Sequence, residues 1–200
     1  MTNVLLIRHA THDAVGKTIL GRTPGVHLND SGRRQAAQLA ETLSVLPIDA
    51  VYCGPLERTR ESAEPLARRL GLPLHVADEF DELEMGDWTN RTLAELDLLP
   101  EWRKWNAQRS EIIPPNGESM HQVQVRVLAK IAALGNRFSC TAVFTHGDVI
   151  RAAISYFLGM HLELLFRFQI DLGSVSIVQM HAGEAVVRIL NWIPIKTAIG

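Results

Sequence analysis

Val4-Leu5-Leu6-Ile7-Arg8-His9 decides how the rest of the chain is read. Its four apolar residues run on without alternation, the pattern of a strand buried on both faces in a parallel sheet, and charge begins abruptly at its carboxyl end. Such a strand is central, so the segments after it must supply both its neighbours and the helices that cover it. Ala36, Leu39, Ala40, Leu43 and Leu46 recur with a helical period, which begins after the turn residues Asn29 to Gly32 and is ended by Pro47. Asp49 to Cys53 reads as a second short strand. Gly54 and Pro55 then open a helix that runs to Arg69 or Leu70 before Gly71, with a kink expected at Pro65. Ser119 to Gln122 match a capping box, and Val123, Val127, Ile131 and Leu134 continue it as an amphipathic helix.

Ala142 to Thr145 is a third buried strand. After it, Gly147 and Asp148 lead into a helix with Val149, Ile150, Ala153, Ile154 and Phe157 on its apolar side, closed near Gly159. Two last apolar stretches, Val175 to Val178 and Val186 to Leu190, flank a hairpin turn at His181 to Glu184. Alternating strands and helices predict an α/β fold, a three-layer α/β/α sandwich whose central sheet is mostly parallel. Between Leu83 and Pro115 periodicity is weak, and Trp88, Trp102 and Trp105 stand among prolines and charges. That stretch reads as an insertion, helical and looped, that covers the site within one domain spanning residues 1–200. Its tryptophans are expected to pack the insertion, with one of them walling the pocket.

A chain of 200 residues, 46% of them hydrophobic, can bury one proper core. With 20 basic and 22 acidic side chains it has no field suited to a nucleic acid backbone, so recognition of an anion must be local. Cys53 and Cys140 lie beside strands, where a reduced, buried thiol is the ordinary occupant. The apolar run near the amino terminus is too short for a signal peptide or a membrane span, and a cytoplasmic location is the expectation.

Ligands of such sheets bind outside the carboxyl ends of strands. Arg8 and His9 end the first strand, His146 ends the strand before Gly147, and Arg58 falls in the first turn of the helix after the second strand. Two forked guanidiniums grip phosphate oxygens bidentately, and helix starts at Gly147 and after Gly54 offer free backbone donors. A neutral imidazole, His9 or His146, is a competent nucleophile at phosphorus near neutral pH. The leaving oxygen needs a proton, for which Asp81, Glu82 and Glu84 are candidates. Gly16-Lys17-Thr18 is a chance likeness to a nucleotide-hydrolase phosphate loop, because the leading glycine is Thr11 and no helix follows.

These residues resemble the histidine phosphatase superfamily, also called phosphoglycerate mutase-like. Leu6 to Ala10 is similar to its strand ending in Arg-His-Gly. It is followed by blocks like Leu20, Gly21, Arg22 with Leu28, Asn29, Gly32, Gln35 and Ala36; then Leu56, Arg58, Thr59, Ser62 and Ala63; then Glu82, Met85, Gly86 and Trp88. Pro115, Gly117, Glu118, Ser119 and Arg126, and finally Thr145, His146, Gly147 and Arg151, complete the order. The resemblance implies a phosphatase that uses neither metal nor cofactor. His9 would become phosphorylated, Arg8, Arg58 and His146 would bind the phosphoryl oxygens, and Glu82 would give the proton and later activate water. Thr11, Gly21 and Gly147 complete the expected substrate-binding set. Ala10 replaces the signature glycine, and Thr11 and His12 stand where a Glu-Thr pair is common. His12 is a substrate contact or, with His9, half of a metal site that lacks a third ligand. The expected partner is a small phosphorylated substrate, with no nucleic acid and no membrane, and self-association through an edge strand or the tryptophan-rich stretch is open. The other readings are a phosphoglycerate mutase-type isomerase and a phosphate-binding module without catalysis.

Overall fold

In a computed structural model that describes residues 1–181 and 183–194, the opening run lies inside β1 (Thr2–Arg8). The other strands are β2 (Ala50–Cys53), β3 (Leu74–Val76), β4 (Cys140–Thr145), β5 (Val175–His181) and β6 (Glu184–Trp192), in one sheet ordered β3-β2-β4-β1-β5-β6. β3, β2, β4 and β1 are mutually parallel, while β5 runs antiparallel to β1 and β6 antiparallel to β5. Every residue from Val4 to Ile7 is fully or almost fully buried because the sheet is covered twice. Leu5 and Ile7 pack with Leu39, Leu43 and Leu66 of α1 (Asp30–Leu43) and α2 (Glu57–Leu70). Val4 and Leu6 point the other way, toward Val127 and Ile131 of α5 (Met120–Gly135) and Val149 and Ile154 of α6 (Gly147–Phe157). Alternate side chains of one strand thus feed two cores, which is the three-layer arrangement.

Local chemistry explains most boundaries. Ser119 and Gln122 cap α5 reciprocally, Ser119 Oγ accepting from the Gln122 amide at 3.1 Å and Gln122 Oε1 from the Ser119 amide at 2.8 Å. Gly71 ends α2 with a left-handed φ of 66°, and α2 runs on through Pro65. At α1 the expected turn is instead a cap. Asn29 Oδ1 accepts from the Gly32 amide at 2.9 Å, so Asp30 to Gly32 already form the first helical turn. Gly32 is required by proximity: a Cβ there would lie 2.0 Å from the Thr11 carbonyl oxygen. The helix also stops at Leu43, before Pro47, and Leu46 packs on the same core from beyond its end. β3 has no counterpart in the sequence reading. Its three residues are half-buried to exposed and give no periodic signal. The terminal hairpin is longer than its apolar residues imply, and its turn includes residue 182, outside those described.

Residues 83–115 form a 3₁₀ turn (Gly86–Trp88), a four-residue α3 (Leu93–Leu96) and α4 (Pro100–Ala107). Trp88 meets Trp102 and Trp105 edge-on at 5.4 and 5.6 Å, while Trp102 and Trp105 stack at 5.0 Å. The three indoles belong to the same core as α5 and α6. Cys53 and Cys140 are free and buried, and desolvation pushes their thiols up to about 12 and about 11. Among the described residues no helix is long and apolar enough to cross a membrane.

Candidate active site

β1 and β4 end side by side, with Arg8 in register with Thr145, so His9 and His146 emerge as neighbours from strands more than a hundred residues apart in sequence. Their rings meet edge-on at 5.2 Å. His9 Nδ1 lies 2.9 Å from the carbonyl oxygen of Ala10, a contact that fixes the proton on Nδ1 and leaves the Nε2 lone pair free. Ser62 Oγ accepts from the Ala10 amide at 2.9 Å and so anchors the turn after the strand. Arg58, 2% exposed, reaches over from the first turn of α2, its Nη2 donating to the Gly21 carbonyl at 2.8 Å and Nη1 to that of Thr23 at 3.3 Å. Arg60 is exposed, which decides between the two arginines of that turn.

A cavity of about 310 Å³ opens at this edge, lined among others by Arg8, His9, His12, Arg58, Glu82 and Asp148. Of the three acids considered, only Glu82 lines it. Asp81 and Glu84 lie 3.3 and 4.0 Å from Arg22 Nε. The Glu82 backbone is held from two sides: Arg22 Nε and Arg126 Nη2 both donate to its carbonyl, at 2.8 and 3.1 Å. Arg126 Nη1 donates to the carbonyls of Glu79 and Asp81, and Glu118 ties the two arginines together at 2.9 and 2.8 Å. Arg22, Glu118 and Arg126, motif positions without an assigned part in the sequence reading, are therefore the clamp of the Glu82 loop.

Electrostatics set Glu82 apart from the two histidines. Burial, and then the nearby Asp148 carboxylate, raise Glu82 to about 7, so that it holds a proton near neutrality. Burial and the Arg58 guanidinium depress His9 and His146 well below 6.5, which keeps both imidazoles neutral. His146 is fully buried, with neither ring nitrogen hydrogen-bonded among the described residues and Nδ1 3.5 Å from Glu82 Oε2.

Not every expected contact faces the cavity. His146, Thr11 and Gly147 are not among its lining residues. Thr11 is held through its backbone, its amide donating to Gln35 Oε1 at 2.9 Å and its carbonyl accepting from Asn29 at 3.3 Å. Gly147 serves by its missing side chain, since a Cβ would come within 3.3 Å of Arg8 Nε and 3.2 Å of Arg151 Nη1. Gly21 lines the cavity, with its carbonyl committed to Arg58. Two residues were missed by the sequence reading. Asp148, in the first turn of α6, lies 3.3 Å from Arg151 and 3.8 Å from Arg109. Arg109, 5% exposed, spreads its guanidinium 3.7 Å over Trp105 and 4.3 Å from Phe166, with Nε and Nη1 making no hydrogen bond among the described residues. Its only sequence signal is a lone arginine shortly after a tryptophan pair.

The sequence profile of the histidine phosphatase superfamily, branch 1, matches residues 4–193. This chain belongs to the histidine phosphatase superfamily. Among its relatives in that superfamily is an adenosylcobalamin/α-ribazole phosphatase of Escherichia coli K12, 30% identical over 193 residues that make up 93% of this chain and 94% of the relative. Phosphoserine phosphatase 1 of Hydrogenobacter thermophilus is 28% identical over 198 residues, 96% of this chain and 92% of that one. The α-ribazole phosphatase of Shigella flexneri superposes with a TM-score of 0.86 at 29% identity, covering 97% and 98% of the two chains. The histidine phosphatase fold therefore extends over essentially all described elements, and phosphatase is the activity that the names of these three relatives share.

Proposed function

We propose that the chain hydrolyses small phosphate monoesters through a phosphohistidine on His9, without a metal. The observation that carries the reading is the Nδ1 contact to the Ala10 carbonyl, which leaves a neutral Nε2 beside Arg8, Arg58 and a protonated Glu82. In the first half-reaction Nε2 forms a bond to phosphorus as the bond to the leaving oxygen breaks, and that oxygen takes the Glu82 proton. Arg8 and Arg58 neutralise the equatorial oxygens, as preorganised cations do in phosphoryl transfer. In the second, the Glu82 carboxylate takes a proton from water, the water oxygen bonds to phosphorus, the N–P bond breaks and phosphate leaves. His146, outside the cavity lining but edge-on to His9 and with no hydrogen bond at Nε2 among the described residues, is a further ligand for an oxygen of the phosphoryl group once it sits on His9. Residues 83–115 supply Leu83, Met85, Trp102, Trp105 and Arg109 to the wall that meets the leaving group, in keeping with relatives named for small phosphorylated metabolites. The substrate is a small molecule rather than a nucleic acid or a membrane lipid, and the protein works in the cytoplasm.

Wild type and His9→Ala, compared on p-nitrophenyl phosphate and on a panel of phosphorylated metabolites, test the proposal. Phosphate release by wild type and its loss in the variant are expected, whereas equal rates would exclude His9 as nucleophile. On 3-phosphoglycerate, isomer formation without free phosphate would make the protein a mutase.

A further inference from the structure

His12, in the loop after β1, stacks its ring on that of His9, with centroids 5.3 Å apart and planes at 28°. The side chain is 6% exposed and lines the cavity, and its Nδ1 is shut off from solvent with no hydrogen-bond partner among the described residues. If filling space were its whole task, an apolar ring would serve without the cost of burying an unsatisfied polar atom. The charged groups that bear on it are Arg58 of α2, Arg8 of β1 and its own neighbour Asp13, with His9 alongside. Burial first, and then the two guanidiniums, hold the ring neutral, lowering it to about 4 against the opposing pull of Asp13. A neutral imidazole keeps one N–H. Next to two arginines and a nucleophile, the group that fits this N–H is the anion they gather.

We infer that His12 is a phosphoryl ligand of this active site, its imidazole N–H donating to an oxygen of the transferring group while its ring face holds His9 in place. The inference rests on the reading of His9 as the phosphorylated residue, yet its test is a binding measurement that needs no turnover. His12 adds a hydrogen bond to the anion without adding a positive charge. It therefore grips phosphate without further opposing the charge that His9 gains as it attacks.

The experiment is calorimetric titration of inorganic phosphate into wild type, His12→Phe and His12→Gln, with thermal midpoints as a check on folding. Phenylalanine keeps an aromatic ring against His9 and removes the donor, while glutamine keeps an N–H and removes the ring. The inference expects His12→Phe to bind phosphate roughly 10- to 100-fold more weakly than wild type, the range for loss of one hydrogen bond to a charged group, and His12→Gln to retain most of the affinity. Wild-type affinity in His12→Phe, or equal losses in both variants, would overturn it, because the ring or nothing would then matter. His12→Leu replaces His12→Phe if that variant does not fold. Absence of p-nitrophenyl phosphate hydrolysis by wild type would count against the His9 reading, and the phosphate titration would still decide the part played by His12.

Discussion

In the proposed mechanism Glu82 carries a proton into the first half-reaction and is without one in the second, and its environment suits that exchange. Its carboxyl is raised to about 7, first by burial and then by Asp148. With an alkyl phosphate, kcat/KM is predicted to fall on the alkaline side of about pH 7, where the free enzyme loses the donated proton. Glu82→Gln should remove that limb and lower kcat by roughly 10²- to 10⁴-fold, with a smaller loss on p-nitrophenyl phosphate, whose leaving group needs no proton. A pH-rate profile of both proteins on both substrates checks this. The stability sign follows from the same shift. A carboxyl raised above its unfolded value favours the fold at acid pH, and that contribution is lost as pH rises through about 7. The thermal midpoint of Glu82→Gln relative to wild type should therefore be higher at pH 8 than at pH 5. Glu82 was legible as one of three adjacent acids, and the sequence could not show that Arg22 occupies the other two. Asp148 and Arg109 were not legible, because what makes them matter is contact between α6 and the segment after α4.

At the scale of elements, the clamp on the Glu82 loop is the informative feature. Arg126 projects from α5 and holds the carbonyl groups of Glu79, Asp81 and Glu82, so α5 orients the proposed proton donor, which it does not itself carry. Arg126→Met keeps the apolar stem and loses the donors. It should lower kcat/KM roughly 10- to 100-fold by misplacing Glu82, with phosphate still bound, as steady-state kinetics and phosphate inhibition together would show. Ser119→Ala removes the α5 cap and should cost about 1 kcal/mol in denaturant unfolding. α5, α2 and β1 were readable because their signals are local: a capping box, a glycine stop, an unbroken apolar run. β3 and the start of α1 were not. β3 forms only because β2 offers it a partner, and Gly32 marks a close approach to Thr11 that no local pattern encodes.

Across the whole molecule, one buried strand feeding two cores brings the ends of β1 and β4 together, and the site is a consequence of that topology. The sequence indicated a mostly parallel sheet, though not its strand order, and with it that Arg8, His9 and His146 gather at one edge, because parallel strands set their carboxyl ends there. Three histidines buried neutral there make the fold sensitive to acid. His9, His12 and His146 all have folded values below 6.5, so the unfolded chain takes up protons first and stability falls as pH drops below about 6.5. Over the same range the raised values of Glu82, Asp81 and the exposed His27 act in the opposite sense, and the three buried imidazoles outweigh them. Calorimetry should find a lower thermal midpoint at pH 5 than at pH 7.

The proposed reaction requires a covalent bond between phosphorus and one ring nitrogen. Rapid quenching of the protein with a ³²P-labelled substrate into alkali, followed by peptide mapping, reads that bond directly. Label that survives alkali, is lost in acid and maps to the peptide containing His9 is predicted. Turnover with no labelled protein at any quench time, or label on another residue, would contradict it.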